Sequence, residues 1–217
     1  MSHPHNKIVI WRHGQTDWNI ENRFQGSTDI PLNETGVAQV ARAGKLLTGL
    51  SPSQIIASDL SRAYSTAKAL ADLVNLEITK DKRLRETDGG NWEGKTGDAI
   101  RETDIENFIR WIDGDDNRAG EIGERRSDVA KRATEAIYEA LDGKTNHTLV
   151  VATHGGTARC IIGSLLNLPM NTWGSIGGLA NAAWSILSST PRGWNLVEHN
   201  SGSLPEPILG EESGGER

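Results

Sequence analysis

The 217-residue sequence predicts an α/β fold, a three-layer α/β/α arrangement around a mostly parallel central sheet. Three observations carry that expectation. Ile8-Val9-Ile10-Trp11 is an unbroken β-branched and aromatic run, the pattern of a strand buried on both faces. Leu149-Val150-Val151-Ala152 repeats it, and each run leads within two residues to a histidine and then a glycine, His13-Gly14 and His154-Gly155. Between them, short apolar strands alternate with helical patterns at the spacing of right-handed crossover units.

Taken in order, the first strand ends on Arg12, where a cation, an imidazole and a glycine suit a ligand crevice better than a core. A polar loop over 17–33 follows, long enough to line a site. Asn33 is placed to cap a helix whose apolar side carries Val37, Val40, Ala41, Leu46 and Leu47, and Ser51-Pro52 ends it. Residues 54–57 form a second strand, with Ser58 and Asp59 available to cap a helix through Ala63, Ala67, Leu70, Ala71 and Leu73.

Arg62 then falls in a first helical turn, where the macrodipole disfavours a cation. Helix amides and a guanidinium at one point are what a bound phosphate uses. A third strand is expected over 77–80. Residues 95–126 read as an insertion over the sheet edge, two short polar helices bearing Ile100, Ile105, Phe108, Trp111 and Ile112, then a flexible charged loop over 113–123. A helix over 127–141, the strand over 148–153 that delivers His154, a helix over 157–166 and a closing strand pair over 182–188 and 194–199 complete the domain. Domain organisation is thus one unit over 1–200 with a loose Gly-, Ser-, Pro- and Glu-rich tail over 201–217.

With 23 Lys and Arg against 29 Asp and Glu, the net charge of -6 argues against non-specific nucleic-acid binding. The single cysteine, Cys160, allows no internal disulfide and fits a reducing cytoplasm, where it reads as a small buried hydrophobe. No segment has the length and apolarity of a membrane span, and residues 1–6 lack a signal-peptide pattern.

Collected at strand ends and adjoining turns, the candidate site residues are Arg12, His13, Asn19, Gln25, Arg62, Glu86 and His154. Two arginines beside two histidines set the sign of the ligand. His13, Glu86 and His154 resemble a metal triad on paper, but each guanidinium at ~4 Å from a cation costs about 4 kcal/mol at an effective dielectric of ~20, so no metal is expected. A phosphomonoester dianion suits the same charges. Guanidinium groups grip it, and a His13 kept neutral by the arginines attacks phosphorus. His154 donates to an equatorial oxygen, while Glu86 protonates the leaving oxygen and later deprotonates water.

Arg12-His13-Gly14-Gln15-Thr16, with Asn19 downstream, resembles the signature of the histidine phosphatase superfamily in its phosphoglycerate-mutase-like branch. The resemblance extends through Pro31-Leu32-Asn33-Glu34-Thr35-Gly36, Ser58-Asp59-Leu60-Ser61-Arg62-Ala63, Leu84-Arg85-Glu86 and His154-Gly155-Gly156. It implies a phosphoglycerate-mutase-like fold, a transiently phosphorylated His13, a phosphate pocket completed by Arg12, Arg62 and His154, and Glu86 as proton donor. By the same resemblance Asn19, Gln25 and Gly26 line the approach, Gly155 belongs to the phosphate-binding set, and neither metal nor cofactor is needed. Its other implications are a small phosphorylated metabolite as substrate and relatives that often form homodimers, with monomer and homodimer both open here; the charge and the lack of a long apolar run already point to no nucleic-acid or membrane partner.

Mutases of the branch carry a longer basic and aromatic segment after the catalytic glutamate. Here Glu86 leads into Thr87-Asp88-Gly89-Gly90-Asn91-Trp92-Glu93-Gly94, similar to the phosphatase members, so phosphatase is expected ahead of mutase or an idle phosphate-binding module. Residues 171–184 and 123–130 resemble the actinobacterial phosphatases of glycosylated phosphoglycerate, with Arg125 departing from the usual serine. Residues 89–96 also spell the nucleotide-binding string G-x-x-x-x-G-K-T. No apolar strand precedes it and Trp92 is bulky for a phosphate loop, so it is not expected to act as one. Trp18, Phe24, Trp92 and Trp111 are candidates for an apolar wall or for plain core.

Overall fold

The computed structural model describes residues 5–202. Six strands, β1 (Lys7–Arg12), β2 (Gln54–Ala57), β3 (Ile78–Lys80), β4 (Thr148–Thr153), β5 (Trp184–Thr190) and β6 (Gly193–Ser201), form one mixed sheet in the order β3-β2-β4-β1-β5-β6. β1 through β4 run parallel, and β5 lies antiparallel to both β1 and β6. The principal helices are α1 (Asp17–Ile20), α2 (Glu34–Leu47), α3 (Ser61–Val74), α4 (Gly97–Ile112), α5 (Arg126–Leu141) and α6 (Gly155–Leu165).

The period of two along the strands sorts their side chains into two cores. Ile8, Ile10, Leu149 and Val151 pack with Ala133 and Ile137 of α5 and Ala158, Ile161 and Ile162 of α6. On the other face Val9, Trp11, Val150 and Ala152 meet Val40, Ala43 and Leu47 of α2 and Ala67 and Leu70 of α3. Each large aliphatic side chain so buried stabilises the fold by ~1.5–3 kcal/mol. The helices after β1 and after β4 therefore cover opposite faces although these strands are neighbours. That divergence opens a crevice at their carboxyl ends.

Several elements differ from expectation. The 17–33 loop contains α1, capped by Thr16, whose hydroxyl accepts from Asn19 N at 3.2 Å. Asn33 does cap α2, accepting from Gly36 N at 2.9 Å, but Val37 and Leu46 face solvent. The buried side of α2 includes Gly44, where α3 lies so close that a Cβ would stand 2.9 Å from the Ala69 carbonyl oxygen, and Gly36, where a Cβ would overlap the Gln15 backbone. These glycines share that face with Val40, Ala43 and Leu47, of which Val40 and Leu47 were expected there. Similarly, α3 starts at Ser61 with no side-chain cap, and Leu73 is exposed. Its expected caps turn elsewhere: Ser58 to His154, and Asp59 to Arg85 through two 2.7 Å bonds.

The 95–126 insertion is a cap with a core of its own, not a cover for the sheet edge. Phe24, Trp92, Ile100, Phe108, Trp111 and Ala119 form a cluster that contains no strand residue. α4 breaks at Asp104 (φ -153°, ψ 47°), whose carboxylate accepts from Trp92 Nε1 at 2.8 Å and Asn107 Nδ2 at 3.1 Å. Ile105 and Ile112 face solvent. The 113–123 loop, expected loose, is tied down by Asn117 Nδ2 to Asn107 O, Arg118 Nη1 to Gly123 O and Ala119 N to Glu124 O, at 2.8–3.0 Å. β6 runs to Ser201, two residues past the expected strand end and into the segment expected as tail over 201–217, of which 203–217 lies outside the described residues. No helix among the described residues is long and apolar enough to cross a membrane.

Candidate active site

His13 directly follows β1, and its backbone is locked on both sides. Its N–H donates to Thr153 O and its carbonyl accepts from Ala182 N, both at 3.0 Å. His154 follows β4 and caps α6. Because Arg12 and Thr153 are register partners, the two imidazoles arrive side by side, with ring centroids 5.3 Å apart and planes at 60°. Both rings are buried.

The hydrogen bonds assign the tautomers. His13 Nδ1 faces Gly14 O at 2.7 Å, and a carbonyl only accepts, so the proton sits on Nδ1 and Nε2 carries the lone pair. His154 Nδ1 accepts from Arg62 Nε at 3.2 Å, which puts its proton on Nε2, donating to Ser58 Oγ at 2.9 Å. Burial, then Arg62, then Arg12 hold the His13 pKa well below the usual histidine value, against the opposing bond to Gly14. Burial and then Arg62 lead the same shift at His154. The arginines, expected as the main cause, therefore rank second to desolvation.

Arg62 is fully buried, with Nη1 donating to Thr28 O and Nη2 to Gly26 O, each at 2.8 Å. Of the amides at the start of α3, that of Ser61 is not open to phosphate, since it donates to Asp29 Oδ1 at 2.8 Å. Arg12, also buried, donates through Nη1 to Leu179 O at 2.6 Å. Gly155 lies against it: a Cβ there would sit 3.5 Å from Arg12 Nε.

Asn19 is fully buried. Its Oδ1 accepts from Thr16 N, Thr16 Oγ1 and Asn181 Nδ2 at 3.0–3.1 Å, while Nδ2 is buried without a partner among the described residues. A buried amide donor left unpaired costs ~1–3 kcal/mol, which an anionic oxygen would recover. Gln25, buried beside it, places its Oε1 3.1 Å from Thr16 Oγ1, where it competes with Asn19 Oδ1 for the single hydroxyl proton.

Glu86 sits at the N-terminus of α6. Its Oε1 accepts from Thr157 N and Thr87 N, and Oε2 from Gly156 N, at 2.9–3.0 Å. Thus the α6 amides hold this carboxylate. Arg132 ties the same segment from below, donating to the carbonyls of Arg83, Arg85 and Glu86 while paired with Glu124 at 2.7 Å.

The sequence-predicted set is therefore brought together around two strand ends. What sequence reasoning missed is the layer behind it, namely Ser58, Asn181, Thr157, Arg132 and Glu124. Ser58 and Asn181 stood inside the quoted motifs, whereas Arg132 is one helical cation among several and carries no sequence signal. Of the four aromatic candidates, Phe24, Trp92 and Trp111 are core and Trp18 is half-buried. Arg125 is exposed and lines a separate cleft of about 510 Å³ with Arg110, Asn117 and Arg118, away from the two histidines. Among the described residues no group of three or more His, Cys, Asp and Glu is placed to hold a metal ion.

A family model for the histidine phosphatase superfamily (branch 1) matches residues 8–202. The chain belongs to that superfamily. It is 36% identical over 190 residues to glucosyl-3-phosphoglycerate phosphatase of Mycobacterium tuberculosis, spanning 84% of this chain and 85% of that protein. It is 31% identical over 163 residues to probable phosphoglycerate mutase GpmB of Salmonella choleraesuis, at 75% and 76% coverage. A solved structure of mycobacterial glucosyl-3-phosphoglycerate phosphatase in complex with VO3 superposes with a TM-score of 0.84 at 36% identity, covering 89% of this chain and 98% of that one. The α/β fold and the superfamily expected from sequence both hold.

Proposed function

We propose that the chain is a phosphomonoester hydrolase working through phosphohistidine. The observation that carries the reading is the bare Nε2 of His13, fixed by the Gly14 carbonyl and lying between two buried arginines and a second imidazole. Arg12 and Arg62 bind the phosphoryl oxygens, with the unpaired Asn19 amide donating to one of them. His13 Nε2 attacks phosphorus as the ester P–O bond breaks, and Glu86 delivers a proton to the departing oxygen. Glu86 then takes a proton from water, which attacks the phosphohistidine and frees inorganic phosphate. Donation by His154 to a phosphate oxygen exchanges its bond to Ser58; until then it acts by fixing Arg62.

The substrate we propose is a glycosylated phosphoglycerate or a closely related small sugar phosphate. The support is the phosphatase of that name, matched at higher identity and over more of the chain than the named mutase. Hydrolysis is favoured over phosphate relocation on the same ground. The test is phosphate release from a panel of glucosyl-3-phosphoglycerate, 3-phosphoglycerate, phosphoserine and sugar phosphates, with chelator and with vanadate. Release that prefers the glycosylated ester, survives chelator and is blocked by vanadate is expected. Conversion of 3-phosphoglycerate to its isomer without net release would establish the mutase reading instead, and neither activity would leave a phosphate-binding module.

A further inference from the structure

The string at 89–96 follows no strand, since a short helical turn (Lys82–Leu84) and the Glu86 segment precede it, yet one of its residues reaches the phosphate pocket. Glu93 Oε1 accepts from Ser27 N at 2.7 Å and from Gly89 N at 3.2 Å, and Oε2 accepts from Thr28 Oγ1 at 2.6 Å. The turn so held is closed by Thr28 N donating to Gln25 O at 3.1 Å. Its Gly26 and Thr28 carbonyls accept from Nη2 and Nη1 of the Arg62 guanidinium, whose Nε serves His154. Gly26 has φ +53°, and a Cβ there would overlap the Glu93 carboxylate, so turn and carboxylate are built against one another.

A guanidinium grips a phosphoryl group in a fork only if its plane is set beforehand. We infer that Glu93 is a positioning residue for phosphate binding: it presses the 26–28 carbonyls onto Arg62 and so fixes the guanidinium for the incoming phosphoryl oxygens. The inference rests on the function proposed above only in taking Arg62 as a phosphate-binding group. It gives the nucleotide-like string a role unrelated to nucleotides.

The test is calorimetric titration of the full chain with vanadate, which reads binding without turnover. Glu93→Ala removes three accepted bonds and is expected to weaken binding about tenfold or more. Glu93→Gln is expected to restore most of that loss, because its amide oxygen still serves Ser27 N and Gly89 N while the Thr28 hydroxyl turns to accept from the amide nitrogen. A residue acting through Arg62 loses its effect once Arg62 is compromised, so Glu93→Ala in an Arg62→Lys background is expected to add little further loss. Thr28→Val, which spares the carboxylate, supplies the same comparison if Glu93→Ala does not fold. Vanadate binding within twofold of the parent for Glu93→Ala, or losses that multiply fully with Arg62→Lys, would overturn the inference alone. A parent chain that binds no vanadate would overturn the phosphate pocket and the inference with it.

Discussion

Glu86 is the residue whose surroundings ask most of its proposed role, since both carboxylate oxygens already accept amide hydrogen bonds while the group must deliver and retrieve a proton. Its contribution is greatest where the departing oxygen is most basic. Glu86→Gln keeps the amide contacts of one oxygen, and it should slow esters of alkyl alcohols by about a hundredfold or more while leaving aryl esters with acidic phenols far less affected. Single-turnover rates across a leaving-group series measure this, and equal slowing across the series would remove Glu86 as the acid. At this scale Arg12, His13, Arg62 and His154 were legible because each stands at a strand end or helix start that the apolar pattern itself locates, whereas Glu86, in the coil beyond the Lys82–Leu84 turn, was legible only through the Leu84-Arg85-Glu86 motif. Ser58 was legible only as a cap. Its bond to His154 is made across neighbouring strands 96 residues apart in sequence, a pairing that no local pattern encodes.

Among the elements, the sheet strands and the helices that cover them were readable from period and punctuation, and the errors fall where geometry outranks hydrophobicity. On α2 Gly44, not Val37 or Leu46, joins Val40 and Leu47 on the buried face, because close contact with α3 selects for the absence of a side chain there. The cap was harder still, since its core draws Phe24 and Trp92 from distant loops to complete a helix whose own apolar pattern is weak. Asp104 is the hinge pin of that element, breaking α4 and accepting the indole N–H of a fully buried Trp92. Asp104→Ala leaves that donor and the Asn107 side-chain amide without their shared acceptor. The expected cost is about 1–3 kcal/mol by urea unfolding, and a change below ~0.5 kcal/mol would show that the break is held by something else.

For the molecule as a whole, the topology concentrates two buried neutral imidazoles at one end of the sheet, and this links activity to stability. His13 and His154 titrate near 6.5 when unfolded and well below it when folded. Below pH 6.5 the unfolded chain therefore binds protons that the native chain refuses, so stability is intact above that pH and falls as the pH is lowered toward the folded values. Below pH 6.5 the slope for two such groups rises toward a limit of about 2.7 kcal/mol per pH unit. Unfolding midpoints in denaturant across that range measure it, and replacing His154 with Gln should lower the slope by about half. What sequence could not provide was the order of causes, because burial of the rings depends on the whole sheet, whereas the arginines were visible as letters. The central claim, that two neighbouring strand ends build an anion pocket around a nucleophilic His13 Nε2, is tested most directly by rapid acid-free quenching of the chain with a phosphomonoester and mapping of the phosphorylated residue by mass spectrometry. The account predicts an acid-labile phosphoryl group on His13 that is absent from His13→Ala, which also fails to turn over; a label on any other residue, or undiminished turnover by His13→Ala, would contradict it.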